Sequence, residues 1–146
     1  MFSFLVSPSM FLLPESFPNS VSTTYGSIFR TVESISDVGP YPKTATFVLN
    51  FSTTHQDILT TFRAHLKAHP VGKNNKRVAI VDSIVSVLGI HLPWKEIVAI
   101  CGEEGVWSVV DAAHSVGQEV GINLEEAKPD FWFSVSTNSL FGMRRV

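Results

Sequence analysis

The chain has 146 residues, 45% of them hydrophobic, and a formal net charge of −2, which supports one sizeable core and one domain. So small a net charge gives no electrostatic basis for binding nucleic acid or an anionic membrane, and leaves small acidic or zwitterionic ligands open. Cys101 is the single cysteine, which excludes an intrachain disulfide and a cysteine-rich metal site and fits a reducing, cytoplasmic compartment.

Residues 1–17 are apolar but lack a basic leader region, and Pro8 and Pro14 divide them into runs too short to span a bilayer. Residues 1–19 are therefore left unassigned, with a strand near 17–22 as a candidate, and residues 20–146 form the domain. Thr23-Thr24 caps a helix through about Ser36 that turns Ile28, Val32 and Ile35 inward, stopped by Gly39-Pro40 and Pro42. A strand is predicted over 44–51. Thr54 then caps a second helix, with Ile58, Leu59, Phe62 and Leu66 at helical spacing and an end near His69-Pro70. His55, His65 and His69 fall on or beside its polar face.

After the turn at 71–75, the β-rich run 78–81 reads as a strand covered on both faces and closed by Asp82. Pro93 opens a helix to about Glu104 that buries Ile97, Val98 and Cys101, and Gly105 ends it. A strand over 106–111, a short helix after His114, a loop through Pro129 and a strand over 131–135 complete the alternation. Strands separated by helices imply right-handed crossovers. The fold class is α/β: a three-layer unit with a mainly parallel sheet, 78–81 beside 106–110, and ligand groups at the strand carboxyl ends.

Asp82 and Asp111 both end apolar strands, at the mouth of that crevice. An Asp after a strand also caps the helix that follows, and either residue taken alone fits that role. Asp111 stands apart because His114 follows three positions later and small Ala112-Ala113 leave room for a flat ligand. His65 and His69 have the i, i+4 spacing of a metal pair, but no acid lies between them, and they read as a solvated helix face. The sequence holds no Gly-x-Gly-x-x-Gly or Walker-type phosphate loop. Arg144-Arg145 is too short for a nucleic-acid patch, and Tyr25 either lines the crevice or packs at a helix start.

Five segments together resemble the class V aminotransferase group, pyridoxal-phosphate enzymes of the cysteine desulfurase and isopenicillin N epimerase type. They are Ser22-Thr23-Thr24-Tyr25-Gly26, Val81-Asp82-Ser83-Ile84-Val85-Ser86, Leu92-Pro93-Trp94, Val110-Asp111-Ala112-Ala113-His114-Ser115-Val116-Gly117-Gln118 and Pro129-Asp130-Phe131-Trp132. The likeness runs from about Ser20 to Arg145 and implies the central part of the large domain of a pyridoxal-phosphate-dependent transferase fold. It implies that Asp111 pairs with the protonated pyridine nitrogen, keeping the ring an electron sink for charge at the substrate α-carbon. It further implies that His114 hydrogen-bonds the phenolic oxygen, the alternative being a helix-terminus role, and that the Thr137 hydroxyl helps hold the phosphate. Gln118 reads as structural.

Such enzymes place their cofactor-attaching lysine after the next strand. Laid without gaps from Pro129-Asp130-Phe131, that position falls on Asn138, and a slip of one residue gives Thr137 or Ser139. None supplies an amine, because the Asn nitrogen is delocalised into its amide. Lys128 precedes the strand and belongs at the opposite end of the sheet. The site implied is thus Asp111, His114 and Thr137, with no catalytic residue and no covalent attachment of pyridoxal phosphate.

The resemblance also implies a large domain beginning before Ser20, a smaller C-terminal domain, and an active site completed across a homodimer, of which this chain carries little interface. The favoured reading is a truncated, non-catalytic member of the group, a pseudoenzyme fragment. One alternative is an active lyase, epimerase or transaminase acting on an amino acid, of which the chain is an incomplete record. A second is an unrelated α/β ligand-binding module using the Asp82 and Asp111 crevice. Under each, the expected ligand is small and, for the first two, amino-acid-like, with no nucleic-acid or membrane partner.

Overall fold

The apolar runs 78–81 and 106–110 lie side by side in a computed structural model of the chain, which describes residues 2–6, 26–37, 44–70, 76–135 and 144–145. In chain order the elements are β1 (Phe2–Val6), α1 (Gly26–Asp37), β2 (Thr44–Thr46), α2 (His55–Ala68), β3 (Lys76–Asp82) and α3 (Trp94–Glu103), followed by β4 (Val106–Asp111), α4 (Leu124–Ala127), β5 (Phe131–Phe133) and β6 (Arg144–Arg145). The sheet order is β2-β1-β3-β4-β5-β6. All neighbours are parallel except β6, which runs antiparallel to β5. Parallel pairing needs a crossover between strands, and the helices supply it.

Side chains alternate between two layers. Ala79, Val81 and Val110 face α2 and α3, meeting Ile58, Phe62, Leu66, Ile97 and Cys101 in the main core, while Ile80 and Val109 face α1 at Val32 and Ile28. This is the three-layer arrangement expected from the alternation of strands and helices. Residues 78–81 of β3 are buried on both faces and accordingly read as an unbroken apolar run.

Several elements differ from the sequence expectation. β1 arises within the segment left unassigned, 1–19, and lies inside the sheet between β2 and β3; the candidate strand at 17–22 lies outside the described residues. β2 stops at Thr46 and not at 51: its pairing with β1 runs over Phe4–Thr44 to Val6–Thr46, and Phe47 and Leu49, which follow, are buried in the main core. The helix expected after His114 is a series of turns, broken by Gly117 and Gly121 at φ +85° and +73°. A single-turn helix forms later, where Asn123 caps the Glu125 and Glu126 amides. β5 ends at Phe133, two residues short of the expected 135.

The caps follow the sequence closely. Thr54 Oγ1 accepts from the Asp57 amide at 3.1 Å and donates to Asp57 Oδ2 at 2.7 Å, a reciprocal cap at the start of α2. The proposed caps of α1, Thr23-Thr24, and the side chain of Ile35 lie outside the described residues, as does Tyr25. At the foot of the sheet Arg77 donates to the Leu66 carbonyl at 2.9 Å and to the Glu104 carbonyl at 2.6 Å, joining the ends of α2 and α3. A fixed cation here meets the negative ends of two helix dipoles.

His65 departs from the solvated face assigned to it. Its ring is half-buried between Phe47, 5.4 Å away, and His69, 4.3 Å away, and its Nε2 is buried without a hydrogen-bond partner. Burial, reinforced by neighbouring His69, pulls its pKa down from 6.5 to about 4. The neutral ring is the folded form, so unfolding gains a proton as pH drops below 6.5, and this contribution to stability is lost between 6.5 and about 4.

Two outcomes are expected. His65→Leu flattens the fall in urea midpoint between pH 6.5 and pH 4 relative to the parent chain; an unaltered slope refutes the assignment. Arg77→Ala costs about 2 kcal/mol, from two charge-assisted bonds to carbonyls left unpaired, read as a lower unfolding midpoint at constant m-value.

Candidate functional site

The register of β3 against β4 sets the site. Its last pair is Asp82 opposite Asp111, and Asp111 in turn faces Phe133 on β5. Directly paired residues share a face, so both carboxylates sit on the α1 side at the carboxyl end of the sheet, one step beyond Ile80 and Val109. Asp82 is 5% exposed and Asp111 7%.

Three buried serines brace the Asp111-Ala112 backbone. The Ser83 amide donates to the Asp111 carbonyl at 2.9 Å, and Ser83 Oγ reaches the same oxygen at 3.3 Å while pairing with Ser115 Oγ. Ser134 Oγ donates to the Ala112 carbonyl at 2.8 Å, and the Ala112 amide donates to the Phe133 carbonyl at 2.8 Å. The sequence reading passed over these serines. The available signal was their position, each one to four residues past an apolar strand, where a hydroxyl stands in for a ladder partner that the strand has run out of.

Asp111 Oδ1 accepts from the Ala113 amide at 3.0 Å, which starts the turn carrying His114. Desolvation raises the Asp111 pKa above the ordinary 3.8, opposed by that amide and then by the nearby His114. Ala113 and His114 are half-buried, whereas Ala112 is fully buried in the core on the α3 side. Ala113 alone therefore leaves space beside the carboxyl, not both alanines.

Asp82, Asp111 and His114 lie at one end of the sheet, three of the four groups, with Thr137, expected to converge there because each follows an apolar strand in the same sense. Thr137 and Asn138 lie outside the described residues. Lys128 ends α4 in the left-handed region at φ 49°, ahead of β5, and so belongs with the opposite end of the sheet. Gln118 bonds within the turn, its amide donating to the Ser115 carbonyl at 3.0 Å. Asp130 locks β5 to β4: its Oδ2 accepts from the Ser108 amide at 2.8 Å and from Ser108 Oγ at 3.0 Å.

A separate cleft of about 440 Å³ opens between the residues preceding α2 and the residues following β3, lined by Phe51, Ser52, Thr53, His55, Ile58, Ile90 and His91. His55 Nε2 lies 3.1 Å from the His91 carbonyl across it. Among the described residues no three His, Cys, Asp or Glu side chains are placed to hold a metal ion, and no helix is long and apolar enough to cross a membrane. Cys101 is buried, its thiol pushed up to about 12 chiefly by desolvation.

An expected outcome follows for Asp111. Its raised pKa means that the folded state holds a proton the unfolded state releases, so its unfavourable contribution grows as pH rises from the ordinary 3.8 through the folded value. Asp111→Asn keeps an oxygen for the Ala113 amide and raises the urea midpoint at pH 7, the gain disappearing below the ordinary value. A lower midpoint at pH 7 contradicts this.

No family model matches the chain. It is 34% identical over 122 residues, 84% of its length, to an L-cysteine desulfhydrase-like protein of Epichloe uncinata, of which it covers 26%. It is 44% identical over 78 residues, 53% of its length, to a putative L-cysteine desulfhydrase of Oryza sativa, covering 16% of that protein. The chain spans about a quarter of the length of the first of these relatives. Among solved structures, Sphingomonas wittichii serine palmitoyltransferase superposes with a TM-score of 0.60 at 16% identity, over 90% of this chain and 28% of that one.

Proposed function

We propose that this chain, class V aminotransferase-like in sequence and built on the fold of the pyridoxal-phosphate-dependent transferases, carries the ring-binding end of a pyridoxal-phosphate site and is not itself catalytic. The observation that carries the reading is Asp111, a buried carboxyl at the mouth of a parallel sheet with its proton affinity raised and His114 at its side. The cofactor, when bound, supplies an electron sink for charge at the α-carbon of an amino acid.

The residues present fit its ring end. Desolvation leaves Asp111 short of a counter-charge, and a protonated ring nitrogen donating to the carboxylate supplies one. On this reading His114 would hydrogen-bond the phenolic oxygen, half-buried Ala113 would leave room for the ring, and the resemblance assigns the phosphate to the Thr137 hydroxyl. Asn138, at the position where the resemblance places lysine, offers an amide with no free lone pair, so it neither attaches the cofactor nor returns a proton to the α-carbon.

Relatives named for L-cysteine support a small amino acid as the ligand class of this lineage. A cytoplasmic setting belongs to the same reading; the homodimer is what the resemblance implies for the family, and this chain carries little of its interface. The alternative, an active enzyme of which this chain is one piece, is favoured by its 26% share of the relative's length, and Asn138 weighs against it.

Titrating the purified chain with pyridoxal phosphate, followed by absorbance, tests the reading. The chain binds weakly and reversibly, and Asp111→Ala loses about tenfold in affinity, the value of one charge-assisted bond. Equal binding by the two overturns the proposed site. After borohydride reduction and digestion, scattered trace labelling of surface lysines such as Lys67 is nonspecific; stoichiometric labelling of one lysine overturns the non-covalent reading. Asn138→Lys alone releases no sulfide from L-cysteine, and measurable release defeats the claim that one residue does not restore the site.

A further inference from the structure

The first turn of α3 is fastened to the segment that carries His114. Trp94 Nε1 donates to Glu119 Oε1 at 2.8 Å. Lys95 Nζ lies 3.9 Å from the same oxygen, 3.0 Å from the Gly121 carbonyl and 5.5 Å from the centre of the Trp94 ring. The Glu119 side chain is only 10% exposed, and its Oε2 is buried with no hydrogen-bond partner. A carboxylate withdrawn from water with one oxygen unpaired is unfavourable where it stands. It is kept there by the contacts around it and not by its own solvation.

The segment between has few other ties. Ser115 fixes one end through Ser83, and the Gln118 and Glu119 amides both donate to the Ser115 carbonyl, at 3.0 and 2.8 Å. Gly117, at φ +85°, sits in the middle, where the backbone has the widest freedom of any residue. His114 immediately precedes the Ser115 anchor. Trp94 and Glu119 close the far end of the same turn, against a helix seated in the main core through Ile97 and Cys101.

We propose that Glu119 is a positioning residue: by accepting from Trp94 it fixes the turn over 113–120, and with it the place of His114 beside Asp111. Its importance for a ligand rests on the ring-site reading above; the placement of His114 is a property of the free chain and is tested without any ligand.

The experiment compares the full chain with Glu119→Ala, Glu119→Gln and Trp94→Phe by proton NMR and amide exchange. Glu119→Ala shifts the His114 ring resonances and speeds exchange at Gln118 and Glu119 or its replacement about tenfold, with β3 and β4 amides still protected. Glu119→Gln keeps an oxygen for the indole and leaves both readouts near the parent values. Trp94→Phe keeps the ring and removes the donor, reproducing Glu119→Ala, and carries the test if Glu119→Ala does not fold.

A folded Glu119→Ala or Trp94→Phe chain with a lower melting temperature but unmoved His114 resonances overturns the proposal, since that is the mark of a staple with no bearing on His114. Equal disturbance by Glu119→Gln and Glu119→Ala overturns the hydrogen-bond basis. Failure of the parent chain to bind pyridoxal phosphate, with His114 moving as stated, overturns the ring-site reading and leaves this inference standing.

Discussion

The in-register pairing of β3 with β4 is the constraint on which the rest of the molecule depends. From Arg77 opposite Val106 to Asp82 opposite Asp111 the two strands advance without a bulge. A slip of one residue by either strand would send its valine, Val81 or Val110, out of the main core and turn the carboxylate that follows it inward. Burying an unpaired carboxylate among Ile97, Cys101 and Phe62 costs far more than a misplaced valine. The apolar pattern and the acids therefore specify the same register, and the fold and the candidate site are not separate achievements of this sequence.

Arg77 and Asp130 extend that constraint toward the amino ends of the strands. Arg77 holds the last carbonyls around α2 and α3, and Asp130 ties β5 to Ser108 in the middle of β4. Arg77 is half-buried and Asp130 exposed, and each is a charged group given two hydrogen-bond partners. His65 Nε2, Glu119 Oε2 and Trp132 Nε1 are the opposite case among the described residues, buried atoms without partners.

What was legible in the sequence follows from physical range. β3, β4 and α2 were read almost to the residue because their signals are local: β-branched runs ended by an acid, and a threonine three residues before its capping partner. β2 pairs with β1, a partner far away in the chain, and no window around Thr44 contains that information. β1 itself carried an apolar pattern but nothing to distinguish a sheet strand from a leader-like stretch. The turn after Asp111 was misread as a helix because Val116 and Gln118 permit one, whereas Gly117 and Gly121 sit at positive φ. Asp111 and His114 could be named from spacing and resemblance; the serines that brace them offer only their position just past an apolar strand, and their role, to satisfy backbone groups, appears once the strands are paired.

The position of β1 has a kinetic consequence. Phe2 is hydrogen-bonded in register with Lys76 and Val6 with Ile80, partners separated by half the chain, while β2, formed from the sequence in between, is laid on the outer side. The first strand gains β2 on one edge as soon as residues 44–46 are made. Its other edge waits, unpaired, for β3, and the entropy of closing that longer loop must be met before the hydrogen bonds between β1 and β3 form. Collapse onto the growing main core of α2 and β3 precedes completion of the sheet, and the waiting strand is the segment most open to capture by a chaperone or by another chain during synthesis.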